Sequence, residues 1–208
     1  MNNEREIRTL PLAELRIGME EDNSFIEGHA AVFDSWSETL GGIFPFKEKV
    51  SRGAFAESVM QDDIRALFNH DPNYVLGRNK AGTLALREDE HGLMVRINPP
   101  DTQWARDLQK SIARGDINQM SFGFVVEEDE WRNEGGFDVR ELKKVKLYDV
   151  SPVTYPAYTA TDVGVRTAEC YKAYRQKVED KKSAEEKAIL DAKQKRQFEF
   201  LKSKIKNI

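Results

Sequence analysis

From about Arg5 to Arg166 the apolar residues fall in short runs of period two, separated by turn-forming residues, which predicts a mostly antiparallel β domain. The spacing predicts strands over Phe25–Phe33, Ile64–Phe68, Gly82–Arg87, Gly92–Asn98, Met120–Val126 and Lys144–Val150. In the last of these Val145 and Leu147 share a face, and Asp149 extends it. Glu134-Gly135-Gly136, between Trp131 and Phe137, predicts a hairpin turn, because glycine adopts the positive φ such turns need. Two amphipathic helices interrupt the pattern. Gly53–Gln61 places Phe55, Val59 and Met60 at helical spacing, and Asp101–Arg114 places Trp104, Leu108 and Ile112 on one face before Gly115. After Arg166 the alternation stops, and a Lys-, Glu-, Ala- and Gln-rich segment without Gly or Pro predicts a projecting helix.

A chain of 208 residues suits one domain with a tail, here residues 1–167 and 168–208. The charge divides in the same way. The tail carries a net +5 and the body a net −9, beneath a formal −4 for the whole. An acidic body argues against a nucleic-acid reader, which normally presents a basic face to the phosphate backbone. The single cysteine, Cys170, excludes an intramolecular disulfide and a Cys-rich zinc site. The charged N-terminus has no apolar core and no run approaches about 20 apolar residues, so the expectation is a soluble intracellular protein without a membrane partner.

Histidine chemistry has three candidates. His29 lies inside a strand and His91 in a turn, and both suit a packing or surface role. His70 ends the strand that runs through Ile64–Phe68 and precedes Asp71-Pro72, which should stop the strand and open a loop. A base at a strand end is held firmly enough for proton transfer. Ser121 stands between Met120 and Phe122 at a strand start, with Gly123 leaving room for a close approach. Its hydroxyl becomes a nucleophile only with a base in reach, and His70 is the best placed histidine. A catalytic histidine needs an acceptor on its second ring nitrogen. Asp149, a carboxylate in an apolar run, wants such a partner; Asp71 is the alternative. Each residue alone also has a purely structural explanation, and no histidine pair at i, i+4 supports a metal site.

The segments in order resemble the head-maturation (prohead) serine proteases of tailed phages. Gly53-Ala54-Phe55 comes first, then Asn69-His70-Asp71 with Leu76-Gly77-Arg78, then Met120-Ser121-Phe122-Gly123-Phe124. Asp149-Val150-Ser151-Pro152-Val153-Thr154 follows, with Pro156-Ala157-Tyr158 after it, and Glu27-Gly28-His29-Ala30 looks like the family's first core strand. The resemblance covers roughly residues 5 to 166. It implies Ser121 as nucleophile and His70 as general base, in an α+β, mostly β fold: an antiparallel β-barrel of the herpesvirus-protease type with packed helices, plus the charged C-terminal helix. The related herpesvirus assemblins carry a Ser-His-His triad. This chain has no histidine after His91, so a third member following the serine must be a carboxylate, and Asp149 is the choice. The resemblance implies no cofactor or metal. It implies cleavage of scaffold, of the scaffold-like region of the major capsid protein, and of the enzyme itself, inside the immature capsid in the host cytoplasm. Association with further copies of the chain is left open. The basic tail would be a connector or targeting arm. The rival reading is an inactive assembly or scaffolding component with a protease-like fold.

Overall fold

The computed structural model describes residues 5–9, 15–20, 23–42, 45–155 and 165–205, with side chains described for 167–196 of the last segment. The chain divides into two compact units, Met1–Arg166 and Thr167–Ile208. The second unit is occupied by one helix, which begins at Val165 and runs to Ile205. No helix among the described residues is long and apolar enough to cross a membrane.

In chain order the strands of the first unit are β1 (Glu6–Thr9), β2 (Leu15–Glu20), β3 (Asn23–Val32), β4 (Lys47–Val50), β5 (Arg65–Phe68), β6 (Asp71–Arg78), β7 (Leu84–Glu88), β8 (Gly92–Ile97), β9 (Gln119–Glu134) and β10 (Phe137–Val153). Helix α1 (Ala56–Gln61) precedes β5, α2 (Gln103–Arg114) precedes β9, and α3 is Val165–Ile205. The strands form two sheets. One has the order β1-β9-β10-β5-β6, with β4 also on β10, and the other has the order β2-β3-β8-β7. A bridge between Phe33 and Val50 links them.

The expected mostly β architecture is present, but the described strands do not close into a barrel. β1 and β6 remain as edges of one sheet, and β2 and β7 as edges of the other. The sheets bury their apolar faces against one another, which covers those faces without a continuous ladder. Ile26, Val95 and Ile97 meet Phe55, Phe122 and Phe124 in one core. The larger sheet is also not purely antiparallel, since β10 pairs in parallel with both β4 and β5.

The sheet is organised by the β9–β10 hairpin, whose turn uses Gly135 and Gly136 at φ 60° and 89°. Helix α2 ends at Gly115 with φ 85°, a left-handed cap that leaves the chain free to enter β9. Helix α1 is shorter than the apolar spacing predicts, and Met60 is 72% exposed where the spacing placed it on the packed face. The Glu88 carboxylate accepts from the N–H groups of Gly53 (2.9 Å) and Phe55 (2.7 Å), so the turn before α1 is held by β7.

Candidate active site

Three neighbouring strands bring Ser121, His70 and Asp149 together. Ser121 lies on β9, Asp149 on β10, and His70 in the turn that follows β5 on the far side of β10. The His70 Nε2 is 2.8 Å from Ser121 Oγ, and its Nδ1 is 2.5 Å from Asp149 Oδ2. An unbroken hydrogen-bond path therefore runs from hydroxyl to carboxylate. Ser121 has no exposed surface, and the Asp149 side chain is 1% exposed.

A bulge in β10 makes this possible. Residues directly opposite in an antiparallel pair share a face. Leu147 pairs with Phe124, but Asp149 pairs with Gly123, so Tyr148 is an extra residue in the ladder. The extra residue reverses the alternation beyond it. Asp149 thus leaves the apolar face of Val145 and Leu147, where simple alternation had placed it, and joins the face of Ser121. Ser151, the partner of Ser121 in register, lies on that face too.

His70 reaches the site through backbone strain. Asn69 and His70 have φ of 52° and 58°, in the left-handed region that costs a residue with a Cβ about 1 kcal/mol or more. Contacts with β10 and the residue after it hold them there. The Asn69 N–H donates to the Pro152 carbonyl at 3.0 Å. The Asn69 amide donates to Thr154 Oγ1 (3.1 Å) and accepts from the Thr154 N–H (2.8 Å). The His70 N–H donates to Ser151 Oγ at 3.3 Å, and that hydroxyl in turn donates to Asp149 Oδ2 at 2.9 Å. Ser151 therefore ties the backbone of the imidazole to the carboxylate that orients its ring. The loop expected after His70 is instead an immediate return into β6, with Pro72 at its start on the sheet edge, where a missing N–H is tolerated.

Strand β1 completes the surroundings. It pairs with β9 so that Thr9 lies opposite Ser121, and the Arg8 carbonyl accepts from Ser121 Oγ at 2.9 Å. The hydroxyl has one proton, so the Arg8 carbonyl and His70 compete for it. Arg5 forms an ion pair with Asp149 Oδ1, and its guanidinium lies 5.7 Å from the centre of the Tyr148 ring. Gly123 is the position across the ladder, and a Cβ there would run into the Asp149 carboxylate and the Arg5 guanidinium. Burial, and then the charge of Arg5, pull the His70 pKa down to about 4, so the imidazole is a free base at neutral pH.

The remaining candidates lie apart from this path. The His29 Nε2 bonds to Asp89 at 3.0 Å in the smaller sheet, and the His91 side chain is 72% exposed. Asp71 accepts from the backbone and side-chain N–H groups of Asn73, both at 2.8 Å. Arg5, the Arg8 carbonyl and Ser151 were not singled out in the sequence. Ser151 was readable in principle, as a small hydroxyl two residues from Asp149; the contacts of Arg5 and of the Arg8 carbonyl carry no local signal.

Residues 13–176 match the family profile of the caudovirus prohead serine protease. No curated protein sequence matches the chain. Among solved structures it is similar to the bacteriophage T4 capsid assembly protease, gp21, at 12% identity and a TM-score of 0.47, covering 74% of this chain and 100% of that one.

Proposed function

Because the chain belongs to the caudovirus prohead serine protease family, we propose that it is a serine endopeptidase in which Ser121 is the nucleophile, His70 the general base and Asp149 the orienting acid. The observation that carries this reading is the continuous path from Ser121 Oγ through the His70 ring to Asp149. With Nδ1–H donated to Asp149, the Nε2 lone pair faces the Ser121 hydroxyl. His70 takes that proton as Oγ attacks the scissile carbonyl carbon. It then returns the proton to the leaving amine, which departs from an acyl-enzyme on Ser121. Water, deprotonated by the same imidazole, releases the new carboxylate. Backbone N–H groups near Ser121, or a positioned arginine, would carry the oxyanion.

Membership of the family supports the substrates proposed here. They are the scaffold or the scaffold-like arm of the major capsid protein, and the enzyme itself, cleaved within the immature capsid in the host cell. Residues 168–208, with their net +5, would act as a targeting arm toward acidic scaffold or capsid surfaces. Co-expression with the cognate capsid protein tests the reading. Wild type should process the capsid protein and itself, as followed by gel and mass spectrometry, while Ser121→Ala and His70→Ala should process neither. Processing by the Ser121→Ala chain would show that the nucleophile is elsewhere. Truncation near Arg166 should abolish incorporation into particles and leave peptide cleavage intact.

A further inference from the structure

The orienting carboxylate is more heavily engaged than a simple triad requires. Its Oδ2 accepts from Ser151 and meets the His70 Nδ1, while its Oδ1 is paired with Arg5. We propose that Arg5 is a positioning residue for the reaction: acting through Asp149, it aims the carboxylate at His70 and draws off part of its charge, so that the base stays available in acid. This inference rests on the triad assigned above.

Three features place Arg5 there by design of the sheet. Position 123 is a glycine, and a side chain at that point would occupy the space in which the carboxylate and guanidinium meet. The bulged residue Tyr148 presents its ring to the guanidinium. Finally, Arg5 directly precedes β1, whose even-numbered side chains are locked on the opposite side. Arg8 donates to Glu6 (2.6 Å) and Glu48 (2.8 Å), and Arg140 donates to Glu6 (3.1 Å) and Glu48 (3.0 Å). Alternation along a strand then sends Arg5, Ile7 and Thr9 to the Ser121 side. The Arg5 side chain keeps 41% of its surface exposed while Asp149 keeps 1%, so the guanidinium reaches the buried carboxylate from the solvent side.

The groups facing His70 have opposed effects. Asp149 on β10 favours the imidazolium, and Arg5 beside β1 disfavours it. The Ser121 and Ser151 hydroxyls are uncharged, and the neighbouring Asp71 carboxylate is turned to Asn73. A buried carboxylate with only an imidazole for a partner would either bind the proton itself or raise the imidazole's affinity for one. Arg5 removes that tendency. The cost is weaker support for the imidazolium that forms as Ser121 attacks.

The test uses the full chain in a Ser121→Ala background, so that self-processing does not consume the sample, and follows the three histidine rings by NMR titration. In Arg5→Ala the His70 midpoint should rise by about one pH unit or more, the usual effect of removing a nearby charge. Arg5→Lys should restore most of the low midpoint, and His29 and His91 should not move. Arg5→Gln, which keeps a donor without the charge, should behave as Arg5→Ala and serves if the alanine variant is unstable. With Ser121 present, the acid limb of kcat/KM on a peptide substrate should shift upward in parallel. An unchanged His70 midpoint in a folded Arg5→Ala or Arg5→Gln protein would overturn the proposal and leave Arg5 a surface ion pair. A proteolytically active Ser121→Ala chain would instead overturn the triad, and the titration would still report whether Arg5 acts on the Asp149–His70 pair.

Discussion

Two buried polar clusters share the sheet around β9 and β10, and they are built to opposite ends. In the first, Arg140 is fully buried, with Glu48 and Glu6 on Nη1 and Asp129 on Nε at 2.7 Å; Arg8 joins through Glu6 and Glu48. Burial works against the Arg140 charge, and the carboxylates of Glu48, Glu6 and Asp129 outweigh it, so its pKa is raised and it is always a cation. The face of Trp131 adds a further cation contact at 5.4 Å. The second cluster, Ser121, His70, Asp149 and Ser151, is buried almost as deeply but contains a group pushed toward neutrality, with a pKa near 4. Fixed charges hold strands, whereas a neutral ring between a hydroxyl and a carboxylate can pass a proton. β1 belongs to both, with the Glu6 and Arg8 side chains in the first cluster and the Arg8 carbonyl at the second, where Arg5, the residue before the strand, joins it.

The comparison makes opposite demands on substitutions, and the largest effect should fall on rate alone. Asp149→Asn keeps the size of the side chain but cannot hold the required His70 tautomer. It should lower kcat by about 10^4, as neutralising the orienting acid does in the studied serine proteases. Its urea midpoint should stay close to that of wild type, because the substitution also removes a buried charge. Steady-state cleavage of a peptide spanning a mapped processing site, beside urea unfolding, checks both halves. A large loss of stability with near-normal kcat would place Asp149 in the fixed-charge class instead.

Arg140→Ala should do the reverse. It removes one of the two guanidinium groups that bind both buried Glu48 and buried Glu6, and losing one partner of a buried ion pair typically costs about 3–5 kcal/mol. Rate per folded molecule should change far less than stability, as measured by active-site titration of the soluble fraction. The double variant Arg140→Met with Glu48→Met should recover much of the stability, since a packed apolar pair can replace a buried ionic one. Failure of that rescue would mean that the network also carries Glu6 and Arg8, and with them β1.

These two clusters also mark where the sequence was readable and where it was not. Ser121 and Asp149 stand between apolar or aromatic neighbours and His70 follows the apolar strand Ile64–Phe68, so both pattern and resemblance pointed to them. The alternation in β8 and at the start of β9, the α2 stripe and the Gly135-Gly136 turn were legible for the same reason. β1 was not, because the inward residues of Glu6-Ile7-Arg8-Thr9 are charged and read as solvent-facing until Arg140 and Glu48 are seen beside them. β4 hides its buried Glu48 in the same way. β6 was masked by Pro72, which period counting takes as a stop and a sheet edge accepts. The bulge at Tyr148 has no signature in periodicity at all, yet it decides which face Asp149 occupies.

A smaller effect separates the clusters by pH. An ordinary histidine titrates near 6.5, and His70 near 4 in the folded chain. The acid limb of kcat/KM, which reports the free enzyme, should therefore lie well below 6.5. The sign for stability follows from the same pair of values. Between about 6.5 and 4 the unfolded chain binds a proton at position 70 that the folded chain refuses, so stability falls as the pH falls through that window and levels off below it. Urea midpoints of wild type and His70→Gln at pH 7 and pH 4.5 check this, and wild type should lose more. Equal losses would mean that His70 keeps an ordinary affinity for protons.

The smallest effect concerns Ser151, which touches both kinds of work. Its hydroxyl accepts from the His70 N–H and donates to Asp149, fixing a strained backbone and a charged side chain at once. Ser151→Ala removes one weak bond and one charge-assisted bond, worth about 1 kcal/mol net, so kcat should fall roughly fivefold. Because Ser151 is fully buried beneath the path, KM should not follow. Tm should drop by only a few degrees, and Asn69, still bound to Pro152 and Thr154, should keep the turn in place. A purely packing role would lower Tm and leave kcat per folded molecule unchanged. A fall in kcat at constant KM shows that the hydroxyl aligns the carboxylate with the imidazole, the task that no residue of the Arg140 cluster performs.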